Sequence, residues 1–190
     1  MYDNQLVEKN LRVWWDVKCL EPGVPWEKGF CEGLLKSRIF MPVLSRGAIN
    51  TAGNARQNFS LLTAESHCDN VLLEYRLALE LQQQGLVERI YPVCIGDASV
   101  NVTAGITSYA KYFDRPSCHP NLEPVAGVVV KAVESKLAEH LEGVGLGSPM
   151  LEPLSVKKIV DLVTINQQGK IVEVDTRSQY STAWHQMCGR

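Results

Sequence analysis

The chain has 190 residues, 45% of them hydrophobic, and a formal net charge of −2 at pH 7. That is enough apolar material for one globular core, and a charge so close to neutral favours neither a nucleic acid nor an anionic membrane as partner. Residues 1–5 are polar and lack the apolar stretch of a signal peptide, and no run approaches the roughly 18 apolar residues of a membrane span, so we expect a soluble, cytoplasmic protein.

The first predicted strand lies close to the start of the chain. Residues 6–10 indicate the end of a helix, and Leu11 to Asp16 (L-R-V-W-W-D) form an aromatic, β-rich run typical of a strand. Pro22-Gly23 favours a type II turn, in which glycine accepts a positive φ. We therefore expect a loop from Val17 to Pro25.

A second helix and strand follow this loop. Apolar residues recur at helical spacing from Trp26 to Leu35, and Ile39 to Leu44 is a continuous apolar run of the buried-strand kind. The segment from Ser45 to Asp69 is too polar for a regular core element, although Phe59 to Leu62 could form a helical turn. Long loops of this kind are often functional lids.

The strongest helix signal covers Asn70 to Gln84. Ser66, Asp69 or Asn70 can cap its beginning, and Gly85 can end it. Ile90 to Ile95 is the next predicted buried strand, ending at Gly96-Asp97.

A last strong helix is predicted from Pro124 to Leu141, after a variable stretch that runs to Pro120. Its valines, leucines and alanine fall on one stripe, and Pro124 suits a first helical position. Strands that alternate with helices, each strand continuously apolar, favour an α/β domain whose parallel sheet is covered on both faces.

Glycine and proline residues mark a linker from Gly143 onward. Ser155 to Thr164 could form one short amphipathic helix on Ile159, Val160 and Val163, and the residues after Gln179 match no known pattern. We expect a domain over residues 1–142, followed by a linker and tail over residues 143–190.

The cysteines do not form a recognisable framework. None of the six belongs to a C-x-x-C pair or has a histidine at zinc-ligand spacing. We therefore expect reduced, mostly structural thiols and neither a disulfide scaffold nor a metal site. The positions are Cys19, Cys31, Cys68, Cys94, Cys118 and Cys188.

Three segments together resemble TIR (Toll/interleukin receptor) domains over about residues 1 to 142. The first is W-W-D-V-K-C-L-E-P-G-V-P-W-E-K-G-F, which is similar to the family's BB loop, with Asp16, Leu20, Gly23 and Trp26 on its pattern. The second, R-I-F-M-P-V-L-S, is similar to the family's third strand and ends at Ser45. In the third, C-D-N-V-L-L-E-Y, the helix motif that carries the family's catalytic glutamate falls on residues 70–75.

The resemblance implies a flavodoxin-like fold with sheet order 2-1-3-4-5, whose ligands bind beyond the carboxyl ends of the strands. It also implies that the family's first strand is absent from this chain, which begins inside the helix that follows that strand. Loss of this interior strand would leave the strand at Leu11 to Asp16 apart from the rest, with unpaired edges.

The resemblance places the catalytic glutamate at Glu74. At about 100° per residue, Glu74 lies within roughly 60° of Val71, Leu77, Ala78 and Leu81, and away from the side with Arg76, Glu80 and Gln83. A carboxylate on an apolar face can stabilise the oxocarbenium-like centre that forms when the bond between nicotinamide and ribose breaks. The alternative is an outward-pointing acidic residue that the helix dipole favours.

Four further residues are candidate contacts to NAD. Lys18 could meet a phosphate and Trp26 could stack on a ring, whereas Asp16 and Ser45 lie at the ends of predicted strands. The competing interpretations are a turn-capping Asp16, a solvated Lys18, a core Trp26 and a serine that only ends its strand. NAD is here the substrate, and no cofactor is expected.

Two functions fit these residues. One is NAD cleavage by Glu74, in copies that self-associate with other TIR domains through the BB loop. The other is a non-catalytic TIR interaction module in signalling of the immune type. A flavodoxin-like receiver or cofactor binder is disfavoured because no acidic cluster, P-loop or G-x-G-x-x-G occurs.

Overall fold

The computed structural model describes Trp14, Cys19, Gly23 and residues 25–49, 58–95, 97–101, 106–110 and 121–165. The predicted strand at residues 11–16 lies outside these residues except for Trp14, which is not in a strand. Gly23 has a φ of 86°, as the type II turn requires. Helix α1 spans Trp26–Leu35, as predicted from its apolar spacing.

Strand β1 (Ile39–Phe40) and strand β2 (Val43–Ser45) together cover the predicted apolar run. A short helix α2, Arg46–Ile49, follows directly and was not predicted. The helical turn expected near Phe59 is a 3-10 turn over Phe59–Leu61, which Asn58 caps by accepting from the Ser60 N–H at 3.0 Å. Ile49 and Phe59 are both fully buried, so this polar segment still contributes to the core.

Helix α3 spans Asn70–Gln83 and confirms the strongest prediction from the sequence. Among the three candidate caps, Asp69 is the one at the N-cap, where its Oδ1 accepts from the Leu72 N–H at 2.9 Å. The helix ends at Gln84 and Gly85, and the Gly85 N–H donates to the Gln82 carbonyl at 3.0 Å.

Strand β3 (Arg89–Ile90) and strand β4 (Val93–Ile95) pair in parallel with β1 and β2. Ile39 pairs with Arg89 and Val43 pairs with Val93, so both ladders keep one register. The break between them falls at Pro42 and Pro92, because proline has no N–H to donate to a ladder. The Val93 N–H still donates to the Pro42 carbonyl at 2.9 Å, which makes the two pairs one interrupted parallel ladder.

An antiparallel hairpin follows the parallel strands. Strand β5 (Asp97–Asn101) pairs with strand β6 (Ile106–Ala110), and Asp97 is opposite Ala110. No strand was predicted in this stretch.

The predicted helix at 124–141 is wrong in its first part. Pro124 lies in a 3-10 turn over Glu123–Val125, and helix α4 begins only at Lys131 and spans Lys131–Gly143. Gly127 and the β-branched run 128–130 are weak helix formers, and tertiary hydrogen bonds hold this backbone instead. The Lys131 N–H donates to the Ala64 carbonyl at 3.1 Å, and the Val156 N–H donates to the Val128 carbonyl at 2.8 Å.

Helix α5 spans Val156–Ile165 and confirms the short amphipathic helix predicted in the tail. It packs against α3, as α4 and α1 also do. Helix α3 is therefore the centre of the described helices, and every residue from Leu72 to Leu81 except Glu74 is buried.

Exposure differs between the two sides of the first described strands. Ile39 is 46% exposed and Val43 is 51% exposed, whereas Leu44 between the helices is fully buried. Along the apolar run from Ile39 to Leu44, one side is therefore more buried and the other is partly exposed. None of the helices within the described ranges is long and apolar enough to cross a membrane.

Candidate functional site

Glu74 lies in the second turn of α3, directly after the capped end. It is half-buried, between the fully buried Leu73 and the nearly buried Tyr75. Tyr75 packs its ring against Phe40 of β1 with centroids 6.3 Å apart, which fixes this turn of the helix against the strands. Glu74 is therefore neither fully exposed to solvent nor fully buried in the core.

Helix α1 is the neighbour of Glu74. Burial raises the pKa of the Cys31 thiol to about 12, and the negative charges of Glu27 and Glu74 add to that shift. Cys31 is 2% exposed on the inner side of α1. The charge of Glu74 therefore acts on a thiol of α1, the helix that packs against this part of α3.

Three charged or ionisable side chains meet beside this contact. Oε1 of Glu27 on α1 lies 3.0 Å from Nε2 of His140 and 3.3 Å from Nζ of Lys136, both on α4. The sequence predicted no role for His140. Its partner is 113 positions away in the chain, and no spacing in the sequence indicates that pairing.

The thiols near this cluster are not nucleophiles. Burial raises the pKa of Cys68 to about 11, with further contributions from Glu27 and Asp69. The thiolate is the reactive form, so both Cys31 and Cys68 are protonated and unreactive near neutral pH. In the part of the chain that the structure describes, no three His, Cys, Asp or Glu side chains are grouped to hold a metal ion.

Trp26 has a packing role. Its ring lies against Phe30 with centroids 4.8 Å apart and an interplanar angle of 56°. It is partly buried against the core cluster. Of the two interpretations of Trp26, the geometry favours the core residue over a free surface for stacking a substrate ring.

The other candidate contacts are only partly located. Ser45 ends β2 and pairs with Ile95, so its backbone lies at the carboxyl end of the parallel ladder, as predicted, while its side chain is outside what the structure describes. Asp16 and Lys18 also lie outside the described residues. Of the predicted site, the structure thus locates the side chains of Glu74 and Trp26.

The opposite side of α3 differs from the prediction. Arg76 and Glu80 were assigned to a polar side away from Glu74, yet both are 0% exposed. Residues 150–154 and α4 cover them through hydrogen bonds to Glu80, Arg76 and Glu134. Charged residues on a helix were taken as solvated, and that assumption fails where another segment supplies hydrogen-bonding partners.

A shallow groove of about 500 Å³ lies elsewhere on the described surface. It is lined by residues of the 126–129 segment and by the beginning of α5, including Ser155, Lys157 and Asp161. Lys157 donates to Asp161 at 2.8 Å, so its charge is neutralised locally. Glu74 is not part of this groove.

The sequence matches the family model of the TIR domain over residues 3–121. The chain belongs to the TIR domain family. The matched range covers more than half of the chain and includes α1, both parallel strand pairs and α3 with Glu74. No curated protein and no solved structure matches the chain significantly.

The TIR fold is a flavodoxin-like α/β arrangement, with which the described helices and parallel strands are consistent. TIR domains act in signalling and commonly self-associate. Helices α4 and α5 lie beyond the matched range.

Proposed function

We propose that this TIR domain protein cleaves NAD to nicotinamide and ADP-ribose-type products, with Glu74 as the catalytic carboxylate. The observation that carries the proposal is the half-buried position of Glu74 on α3, close enough to α1 for its charge to act on the Cys31 thiol. A structural acidic residue near a helix N-terminus would more simply point outward into solvent.

Partial burial suits the chemistry. Breaking the bond between nicotinamide and ribose develops positive charge on the ribose, as in glycoside hydrolysis. A carboxylate at this position can stabilise that charge or hold the ribose hydroxyls, and a low local dielectric strengthens the interaction. The neighbouring thiols stay neutral because their pKa values are raised, so they do not compete as nucleophiles.

Asp16, Lys18 and Ser45 remain proposed contacts to NAD, with Lys18 on a phosphate. Trp26 contributes less than first expected, because its ring is packed against Phe30. We further propose that copies of the TIR domain associate through the BB loop, residues 17–25, to complete the site.

Nicotinamide release from NAD by the concentrated protein tests the proposal. We expect Glu74→Gln to reduce the rate by at least about 100-fold, since it removes the charge while keeping the shape. Glu32→Gln is the matched control, because Glu32 is an exposed glutamate of α1 whose side chain is 48% exposed. Glu74→Gln protein that is folded and fully active would refute the mechanism.

A non-catalytic TIR interaction module is the second candidate. The packing of Trp26 against Phe30 favours it, because that packing removes one of the predicted substrate contacts. This function predicts no nicotinamide release at any protein concentration, together with a concentration-dependent rise in mass measured by sedimentation. A charge reversal in the loop, Lys18→Glu, should then weaken association, whereas Glu74→Gln should leave it unchanged.

A further inference from the structure

Helix α3 carries two charged residues on its buried far side. Nη1 of Arg76 donates to Oε2 of Glu80 at 3.0 Å, and Nε of Arg76 donates to Oε1 of Glu134 on α4 at 2.9 Å. Arg76 and Glu80 are fully buried, and the Glu134 side chain is 16% exposed. Three charges are thus removed from water at one place between α3 and α4.

These charged groups also bind the main chain of residues 150–154. Glu80 accepts from the Met150 N–H at 2.5 Å and from the Leu151 N–H at 3.2 Å. Nη2 of Arg76 donates to the Leu151 carbonyl at 3.1 Å, and Glu134 accepts from the Leu154 N–H at 3.1 Å. Because these side chains bond to backbone groups of residues 150–154, they fix the course of this segment along α3.

The segment continues into α5 and is preceded by glycines. Residues 150–165, named here the strap, place Val156, Ile159, Val160 and Val163 in the core. Residues 143–149, named here the hinge, are mostly exposed, and Gly145 and Gly147 have φ values of 78° and 77°. Only glycine adopts such angles without strain, so the hinge is built for a sharp change of direction.

We propose that the strap is a separable unit that closes over α3 and opens about the hinge, with the cluster of Arg76, Glu80 and Glu134 fixing its closed position. The loss of hydration offsets much of the attraction between buried charges. Opening returns the three charges to water, so the charged part of the contact costs less to separate than an apolar contact of the same area, while Val156, Ile159, Val160 and Val163 supply the apolar part. Closure is specific nonetheless, because a shifted strap would leave buried charges without partners.

The protonation state of Glu80 agrees with this arrangement. Burial alone would raise its pKa, but hydrogen bonds from the Met150 N–H, Arg76, the Leu151 N–H and Gln84 lower the pKa below the usual value. The ionised carboxylate is therefore the form that holds the strap. The strap lies on the side of α3 away from Glu74, and its role stands independently of any catalysis at Glu74.

Hydrogen exchange on the full chain at rising denaturant tests the proposal directly. We expect the amides of residues 157–165 to exchange together through one opening, at lower denaturant than the buried amides of residues 73–81 in α3. If the strap amides exchange only with global unfolding, the strap is not a separate unit and the proposal fails.

A substitution tests the role of the charge cluster. Glu80→Gln keeps the shape and the link between Arg76 and Glu134, and we expect it to speed strap exchange by at least about tenfold. Exchange in α1 should not change, and Glu152→Gln, an exposed position within the strap, should have no effect. Equal acceleration in α1 and the strap, or none in either, would overturn the role of the cluster. If Glu80→Gln does not fold, the comparison of hydrogen exchange between residues 157–165 and 73–81 in the unsubstituted chain decides whether the strap opens separately.

Discussion

Gly33 lies where the indole of Trp14 crosses helix α1. A Cβ atom on Gly33 would fall 2.8 Å from Nε1 of Trp14, and closer still to two carbons of the ring. Only a residue without a Cβ lets the ring contact the helix backbone at that distance. This contact connects Trp14, in the segment where the first strand was predicted, to the described core.

We predict that Gly33→Ala lowers the free energy of unfolding by about 1–3 kcal/mol, because the methyl group displaces the indole. Denaturant unfolding followed by tryptophan fluorescence measures the loss. Gly143→Ala is the control, since Gly143 ends α4 with no atom within 4 Å of the added carbon. That substitution should be neutral or stabilise by up to about 1 kcal/mol. Equal losses in both variants would contradict a steric cause.

The Cys31 thiol provides a second test. Its pKa of about 12 lies far above the ordinary value of 9.0, chiefly because of burial. The folded protein should therefore react with iodoacetamide at Cys31, at pH 8, at least about 100-fold more slowly than the unfolded protein does. Mass spectrometry of timed samples reports the rates at Cys31 and at Cys68 separately. Rapid labelling of Cys31 in fully folded protein would show that α1 does not bury it.

The helix that holds Glu74 could be predicted from the sequence, because a capping residue and apolar residues at helical spacing define it. The burial of Arg76 and Glu80 could not be predicted from the sequence. A charged residue is normally exposed, and what compensates it here is main chain 70 and 75 positions away in sequence. The pairing of Glu27 with His140 was missed for the same reason.

Helices α1 and α3 were predicted almost to the residue because local signals mark their ends. For α3 the signal is a side chain that caps the first turn. Asp69 accepts from the Leu72 N–H, although burial, only partly offset by its bonds to Leu72 and Val71, raises the pKa of Asp69 above the usual value. A raised pKa means that folding favours the protonated acid. The ionised Asp69 therefore costs stability once the pH rises above its ordinary pKa.

We predict opposite results for two substitutions at this cap. Asp69→Ala removes the acceptor and should lower the free energy of unfolding by about 1 kcal/mol at pH 7. Asp69→Asn keeps an acceptor without the charge, so it should be neutral or stabilising at pH 7. The difference between Asp69→Asn and the original chain should diminish as the pH falls to about 3. Thermal unfolding at the two pH values measures both, and a destabilised Asp69→Asn at pH 7 would contradict the cost assigned to the charge.

Other elements could not be read from local patterns. The valine stripe predicted a helix from Pro124, but the structure uses 126–130 as irregular backbone, in which the Val128 carbonyl accepts from the Val156 N–H. The N–H of Lys131, the next residue, donates to the Ala64 carbonyl. The hairpin of β5 and β6 was missed because its short strands lack the apolar run that marks the parallel strands. In both places, tertiary contacts outweigh the local preference.

At the scale of the whole molecule, the folded unit continues past residue 142, the predicted domain boundary, and includes α5. Helix α5 packs on α3, although the segment was predicted as a linker and tail. Four of its apolar side chains are buried, and residues 150–154 satisfy the charged groups of α3. The core of this TIR domain is therefore completed by residues beyond the range that matches the family.

We predict that a chain ending at residue 142 unfolds at a clearly lower denaturant concentration than a chain ending at residue 165, and binds more of a dye that detects exposed apolar surface. The shorter chain uncovers the far face of α3 and leaves Arg76 and Glu80 without their main-chain partners. Shortening from 190 to 165 should change stability less than shortening from 165 to 142. Equal midpoints for the chains ending at 142 and 165 would contradict this assignment.

The sequence by itself determined the α/β class, the parallel strands and the position of α1, α3 and α5, because apolar spacing and capping residues act over a few neighbouring positions. The candidate glutamate followed from the resemblance to the TIR family. Only the tertiary structure decided which charges are buried, which thiols stay protonated and that α5 belongs to the folded unit. Burial and pKa depend on what lies within a few ångströms in space, and here those neighbours are separated by up to 113 residues along the chain.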